Sequence, residues 1–389
     1  MAALLAGCGP AAAAPVDIDA ARAPTGAARA PASSALVWGL RHPDRAAARL
    51  RRHSQVVDAT VVGRGVVLLR RARDGNGVVQ QVRARYAIPL DTIAVNPRRY
   101  ARTVPAEADA FARLRRGGAV ISRTEARLRR VGAGAVFDLA DGRRVRAVAV
   151  VDDAVLRDAE VAIPAGDPRM PPLRSTVAVG LRAPVRKRQL IRWAQRGAAA
   201  KLLPDGPGDI GPVRPATLKG RFGEPAVGLP YGSDWIRLSP AFVHRSIVSR
   251  RVPILGTVSC HRAMVPDLRA ALRELVRRGL APTVNPGDYA GCYAPRRIQP
   301  RGQLSLHAWG LAVDLNASRN PFRGQSHQDP RLVRVMEKHG FTWGGRWPTR
   351  PDPMHFEYRG VCASTSTWPR ATASSAASRC ASSSVPTSP

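Results

Sequence analysis

Acidic residues are scarce in this chain. Its 389 residues hold 28 Asp and Glu against 61 Lys and Arg, for a formal net charge of +33. Such an excess favours anionic partners: nucleic acid, a phospholipid surface or an anionic cell-wall polymer. An Ala/Arg/Gly/Pro-rich coding bias produces the same composition. Aromatics make up only 5% and no motif of a nucleic-acid reader is present, so no specific nucleic-acid partner is expected. No apolar run approaches the ~18 residues of a membrane span. The five cysteines, Cys8, Cys260, Cys292, Cys362 and Cys380, include no CxxC pair, which argues against a zinc knuckle. Cys260 and Cys292 are either two buried thiols or, in an oxidising compartment, a disulfide. The disulfide would close a loop of about 30 residues and contribute roughly 3 kcal/mol.

The chain divides by composition into five stretches. Residues 1–35 form an Ala/Pro-rich leader and tether, in which Leu5-Ala6-Gly7-Cys8 resembles a bacterial lipobox without a basic n-region. This gives an expected extracytoplasmic, envelope-associated location with a lipid on Cys8. Residues 36–165 read as a separate small α+β domain. Val56-Val57, Val61-Val62 and Val66 to Leu69 are strands split by Gly63-Arg64-Gly65. Turns are expected at Asp74 to Gly77 and at Asp141-Gly142, and a helix over Ala106 to Arg116. No ligand cluster or nucleophile marks this stretch. Residues 166–235 read as a basic Pro/Gly-rich linker with one basic helix from Arg186 to Lys201, which could meet an anionic wall polymer or membrane surface. Residues 236–360 hold the chemistry, and the Ser-rich tail 361–389 is expected to be disordered.

Within 236–360, Pro266 opens a helix with Leu268, Leu272, Leu275 and Val276 on one face, and a second helix runs from Pro330 to His339. Gly310 to Asn316 and Met354 to Tyr358 read as strands. In Leu311-Ala312-Val313-Asp314-Leu315 the aspartate shares a face with Ala312, while Leu311, Val313 and Leu315 face a core. A carboxylate among apolar neighbours is costly unless paired or bound to metal. His307 lies before Gly310, where a turn can bring its ring back toward Asp314. His355 and Glu357 share a second strand face, so Glu357 can orient a ligand. Two imidazoles and one carboxylate can hold zinc with a fourth position open for water. Asp352 stands close by as a base. His261, His327 and His339 lie outside this pattern.

Three motifs carry a family resemblance: Ser305-x-His307-x-x-Gly310-x-Ala312-x-Asp314, Gly340-Phe341-Thr342-Trp343-Gly344-Gly345-Arg346-Trp347, and Asp352-x-x-His355-Phe356-Glu357. Residues from about 250 to 360 resemble the zinc D-alanyl-D-alanine carboxypeptidase and L-alanyl-D-glutamate endopeptidase family, the VanY-like peptidases. The resemblance implies a hedgehog/DD-peptidase-like domain, α+β, with a small antiparallel sheet and flanking helices. It implies Zn2+ on His307, Asp314 and His355, and Asp352 as general base. Arg296, or the adjacent Arg297, would steady the oxyanion. Trp309, Trp343 and Trp347 either line the cleft or pack the core, and Asn320 to Asp329 is expected to shape the cleft. The expected function is hydrolysis of an amide bond in peptidoglycan stem peptides. The alternative is a non-catalytic wall-binding lipoprotein with a relic site.

Overall fold

One long strand, Val56–Asp74, organises the N-terminal part. Its β-branched run suits an extended pleated chain. Gly63 and Gly65 do not divide it, contrary to the sequence expectation. A Cβ on Gly63 would lie 3.2 Å from the Cβ of Ala94 on a neighbouring strand. Glycine at this position lets two strands approach closely rather than turning the chain. The computed structural model describes residues 34–157, 159–166, 173–203, 215–298, 302–347 and 350–360. The lipobox-like Cys8, nearly all of the tether, and the tail with Cys362 and Cys380 lie outside the described residues.

The long strand pairs along its length with different partners. Its first part meets Leu173–Leu181, its middle Tyr86–Val95, and its end Val136–Leu139 and Gly77–Gln81. From Val136–Leu139 the pairing continues through Arg144–Val151, Gly118–Ser122 and Val161–Pro164 to Tyr86–Val95, which pairs back to the long strand. The circuit is closed. Alternate residues of its strands fill the interior: Val67 and Leu69, Ile88 and Leu90, Ala119 and Ile121, Phe137 and Leu139, Val145 and Ala147, Val161 and Ile163. That period of two is the signature of a small barrel whose side chains pack its lumen. The hairpin expected at Asp141-Gly142 joins Val136–Leu139 to Arg144–Val151. The helix expected from Ala106 is shorter, Ala108–Ala112.

The stretch 166–235 is not a linker in its described parts. Strand Leu173–Leu181 is inserted between Ser34–Trp38 and the long strand, and Ala199–Leu203 extends the sheet beyond Ser34–Trp38. The basic helix Lys187–Ala194 buries Leu190 and Ala194 against this layer. Its basic residues fall on the outer turns, and the composition that suggested a linker reflects that exposed side. Strand Ser34–Trp38 also begins before the expected end of the tether.

The C-terminal part is a small antiparallel sheet with helices packed on it, as expected. The strand order is Tyr289–Gly291, Ala312–Leu315, His355–Tyr358, Phe341–Trp343. Helix Val265–Arg277 contributes Leu268, Ala271, Leu272 and Leu275 to the core, and helix Pro330–Lys338 contributes Leu332, Val335 and Met336. Both helices begin with Pro in the first turn, where the missing N–H costs nothing.

The two parts are not separate modules; the described residues belong to one compact unit. Helix Pro215–Phe222 joins them. Its Leu218 and Phe222 sit in the C-terminal core. Its Lys219 Nζ is buried and donates to Glu160 Oε1 and Oε2 at 2.7 and 2.9 Å and to the Pro89 carbonyl at 2.7 Å, all on the barrel. Burial opposes the Lys219 charge, but Glu160, Glu224 and Glu125 outweigh it and raise its pKa. Beside it, Arg129 is clamped between Glu125, at 2.7 Å, and Glu224. Removing one partner from such a buried pair strands the other. Lys219→Met is expected to lower unfolding free energy by about 3–5 kcal/mol in urea denaturation. A loss within about 1 kcal/mol, the range of an exposed pair, would show that the cluster does not brace the two parts.

Candidate metal centre

Cross-strand register builds the site. Asp314 pairs directly with His355, and Ala312 with Glu357. Residues opposite each other on one face of an antiparallel pair bring their side chains together. Asp314, His355 and Glu357 therefore share one buried patch, while Val313 and Phe356 point into the core.

His307 enters from a one-turn helix, Leu306–Trp309, capped by the Ser305 side chain accepting from the His307 N–H. Gly310 ends that helix at φ 68°. A Cβ there would stand 2.7 Å from the His261 backbone nitrogen, so glycine satisfies both the left-handed backbone and the close approach. The strand expected from Gly310 is consequently shorter, Ala312–Leu315.

The ligand atoms converge. His307 Nε2 lies 3.1 Å from Asp314 Oδ2 and 3.1 Å from His355 Nδ1, and His355 Nδ1 lies 2.8 Å from Asp314 Oδ1. All three residues are buried. The remaining ring nitrogens are held from behind. His307 Nδ1 is 2.8 Å from the Cys292 carbonyl oxygen and His355 Nε2 is 3.4 Å from Glu357 Oε1. Both partners only accept, so those nitrogens carry protons and the inward-facing ones can offer lone pairs. Arg359, 3.3 Å from Glu357 Oε2, steadies the outer carboxylate.

Electrostatics follow from this packing. Burial would raise the Asp314 pKa, but hydrogen bonds and charge from His307 and His355 hold it well below the usual carboxylate range. Burial opposes a proton on His355, yet Asp314 and Glu357 push its pKa up to about 10. Asp352 goes the other way: burial raises its pKa, and neighbouring His355 only partly offsets this.

The residues fit a zinc ion. A tetrahedral centre with bonds of about 2.0–2.1 Å needs ligand-to-ligand edges of roughly 3.3 Å, so the observed triangle requires little expansion. Asp352 Oδ1 is buried without a hydrogen-bond partner, an acceptor awaiting a proton-bearing group. The Asp352 backbone N–H donates to Gly344 at 3.0 Å, and a Cβ on Gly344 would meet the Asp352 carbonyl at 2.7 Å. The glycine of the Trp-Gly-Gly motif is thus the seat of the acidic loop.

The two candidate arginines separate cleanly. Arg296 NH2 lies 3.6 Å from Asp314 Oδ2. Arg297 turns away, donating to the Ser233 and Gly232 carbonyls and stacking on Tyr231. Trp347 stands over His355 at 5.3 Å between ring centroids, and Trp343 Nε1 donates to Pro353 at 2.8 Å. Trp309 is core, its Nε1 bonded to the Gly223 carbonyl. In the segment from Asn320 to Asp329, the Arg323 N–H donates to Pro351, beside the Asp352 loop. His261 and His339 are engaged elsewhere, with Phe222 and Glu274, and the His327 backbone N–H bonds to Asn320. Sequence reasoning missed Tyr289, whose phenol is pushed up to about 12 by burial and then by the Asp314 charge. It also missed the Cys292 carbonyl, since a backbone acceptor leaves no residue-type signal.

Residues 299–358 match the family model described as D-alanyl-D-alanine carboxypeptidase. No curated protein matches the chain. Among solved structures, the periplasmic region of MacB from Actinobacillus actinomycetemcomitans is 10% identical with a TM-score of 0.28, covering 44% of this chain and 88% of that one. A permease-protein domain from Porphyromonas gingivalis is 14% identical with a TM-score of 0.26, covering 45% and 89%. TM-scores this low establish no shared fold.

Cys260 and Cys292 form a disulfide, with Cα atoms 5.4 Å apart. It ties the carbonyl that fixes His307 to strand Gly256–His261. Replacing both cysteines by serine is expected to weaken zinc binding by about 10–100-fold, as loss of a ligand's outer support does. Competition against a chromogenic chelator measures it; an unchanged affinity would mean that the carbonyl is placed without the crosslink.

Proposed function

We propose that this protein is a zinc-dependent peptidase that hydrolyses an amide bond in peptidoglycan stem peptides, of the D-Ala-D-Ala carboxypeptidase or L-Ala-D-Glu endopeptidase type. One observation carries the reading. Within the segment matching the carboxypeptidase family model, His307, Asp314 and His355 converge beside an unpartnered Asp352 oxygen.

His307 Nε2, Asp314 and His355 Nδ1 would hold the ion. Zinc bound there supplies a Lewis acid for the scissile carbonyl and a water acidified toward a pKa of about 7. Asp352 accepts the proton of the attacking water at its free oxygen and returns it to the leaving amine. Its raised pKa suits both halves of that transfer. The Arg296 guanidinium stabilises the negative charge that develops on the carbonyl oxygen. Trp347, beside His355, keeps bulk water from that side of the ligand. A relic site would be expected to have lost one of these groups, and the sequence retains them all, which favours the active reading.

The disulfide favours an oxidising, extracytoplasmic setting, where the substrate is found. Anchoring through Cys8 completes this reading. Among the described residues no helix is long and apolar enough to cross a membrane.

Three substitutions test the assignment with different signatures. Asp352→Ala should keep about one zinc per chain by elemental analysis and lose detectable cleavage of muropeptides by mass spectrometry. Asp314→Ala should lose both. Arg296→Ala should lower kcat by about 10²–10³-fold with metal retained. If the zinc-loaded wild-type protein binds muropeptides of every stem length and cuts none, the peptidase reading fails.

A further inference from the structure

The barrel carries a second concentration of charge far from the metal ligands in sequence. A cavity of about 360 Å³ opens where the end of strand Val56–Asp74 meets the hairpin of Val136–Leu139 and Arg144–Val151. Arg70, Arg71, Arg73, Arg143 and Arg144 line it together with one carboxylate, Asp138. We propose that this cavity binds a phosphate-bearing anion that lacks a nucleobase.

Positive charge outweighs negative charge around this cavity. Arg71, Arg73 and Arg144 all point at Asp138, at 3.7, 2.8 and 3.2 Å. One carboxylate cannot neutralise three guanidinium groups. Arg143 pairs with Asp141 at 2.7 Å. Leaving that pair aside, four arginines, Arg70, Arg71, Arg73 and Arg144, share a single lining carboxylate. Arg70 Nε is buried without any acceptor, an arrangement that costs stability unless a ligand supplies one.

The aspartate has a positive role in this arrangement. The buried Asp138 Oδ1 makes no hydrogen bond of its own. Asp138 Oδ2 accepts from Arg73 and Gln81 accepts from Arg71 Nε at 3.1 Å, which fixes these two guanidinium groups. Their long side chains are thereby ordered before a ligand arrives, which removes much of the entropic cost of binding. Planar forks held this way match the oxygens of an oxyanion. A single carboxylate is saturated by one or two forks, whereas a phosphate offers enough acceptors for several. The cavity also exceeds one phosphate in size, so the group would arrive on a polyol or as linked phosphates. The remaining lining, Val82, Leu139, Ala140 and Gly142, has no aromatic ring on which a base could stack.

Calorimetry on the full chain with inorganic pyrophosphate tests this. One site per chain is expected, with affinity reduced about tenfold in Arg70→Gln and again in Arg144→Gln, the loss of one charge-assisted contact each. Arg144 is 72% exposed, so its replacement leaves folding intact even if the Arg70 variant does not fold. Tighter binding of a poly(glycerol phosphate) chain than of pyrophosphate identifies a polymer source, and equal binding a free phosphate; either upholds the site. Equal weakening by Arg250→Gln with Arg277→Gln, in the C-terminal part, would reduce the effect to bulk charge and overturn the proposal. So would acetate competing at the same concentration as pyrophosphate, or duplex DNA binding more tightly than pyrophosphate in both wild type and Arg144→Gln.

Discussion

The pairing of Asp314 with His355 across two strands is the constraint on which the centre depends. A shift of one residue would turn Asp314 into the core and bring Val313 to the site, because strand side chains alternate faces. The apolar residues on the opposite face forbid that shift. Val313, Leu315 and Phe356 are fully buried, and exposing them would cost several transfer energies at once. The hydrophobic core thus holds the candidate ligands in register without the help of an ion.

The site's inner and outer polar groups form one continuous arrangement. Each histidine offers one nitrogen inward and donates with the other, to the Cys292 carbonyl in one case and to Glu357 in the other. Without a cation, Asp314 and His355 satisfy each other as an ion pair, which keeps the buried carboxylate charged. A metal held by His355 Nδ1 would require that nitrogen deprotonated, so binding there would be coupled to proton release. Asp352 stays outside this arrangement. It is the one carboxylate of the cluster raised rather than lowered in pKa, and it is also the one left with a free buried oxygen.

Much of this centre was legible in the sequence because side-chain type, strand alternation and glycine placement all act locally. His307, Asp314, His355 and Asp352 could be named from short motifs, and the structure brings them together. The choice between Arg296 and Arg297 could not be read, since it turns on Tyr231 and the carbonyls of residues 232 and 233, more than sixty positions earlier. The N-terminal part was less legible for a related reason. A strand of 19 residues changes partners three times, and glycines that permit close crossing look in sequence like turns. The basic stretch before residue 235 misled in the same way: its buried residues are small and few, so its outer arginines dominated the composition.

The scarcity of acidic residues takes on meaning once their positions are known. Asp58, Asp91, Glu125, Glu160, Glu274, Asp314 and Glu357 are all buried. Glu125, Glu160 and Glu274 serve as partners for Arg129, Lys219 and Lys338, while Asp314 and Glu357 build the metal centre. Among the described residues Arg64, Arg129, Arg157, Lys201 and Lys219 are buried as well, so burial nearly balances and the surface keeps essentially the basic excess of the whole chain. A basic surface of this kind favours anionic partners in general through long-range attraction, which salt screens beyond about 8–10 Å. The charges of the candidate metal centre are paired at contact distance within the core. A basic exterior and a buried cluster whose charges are paired locally can therefore coexist in one chain.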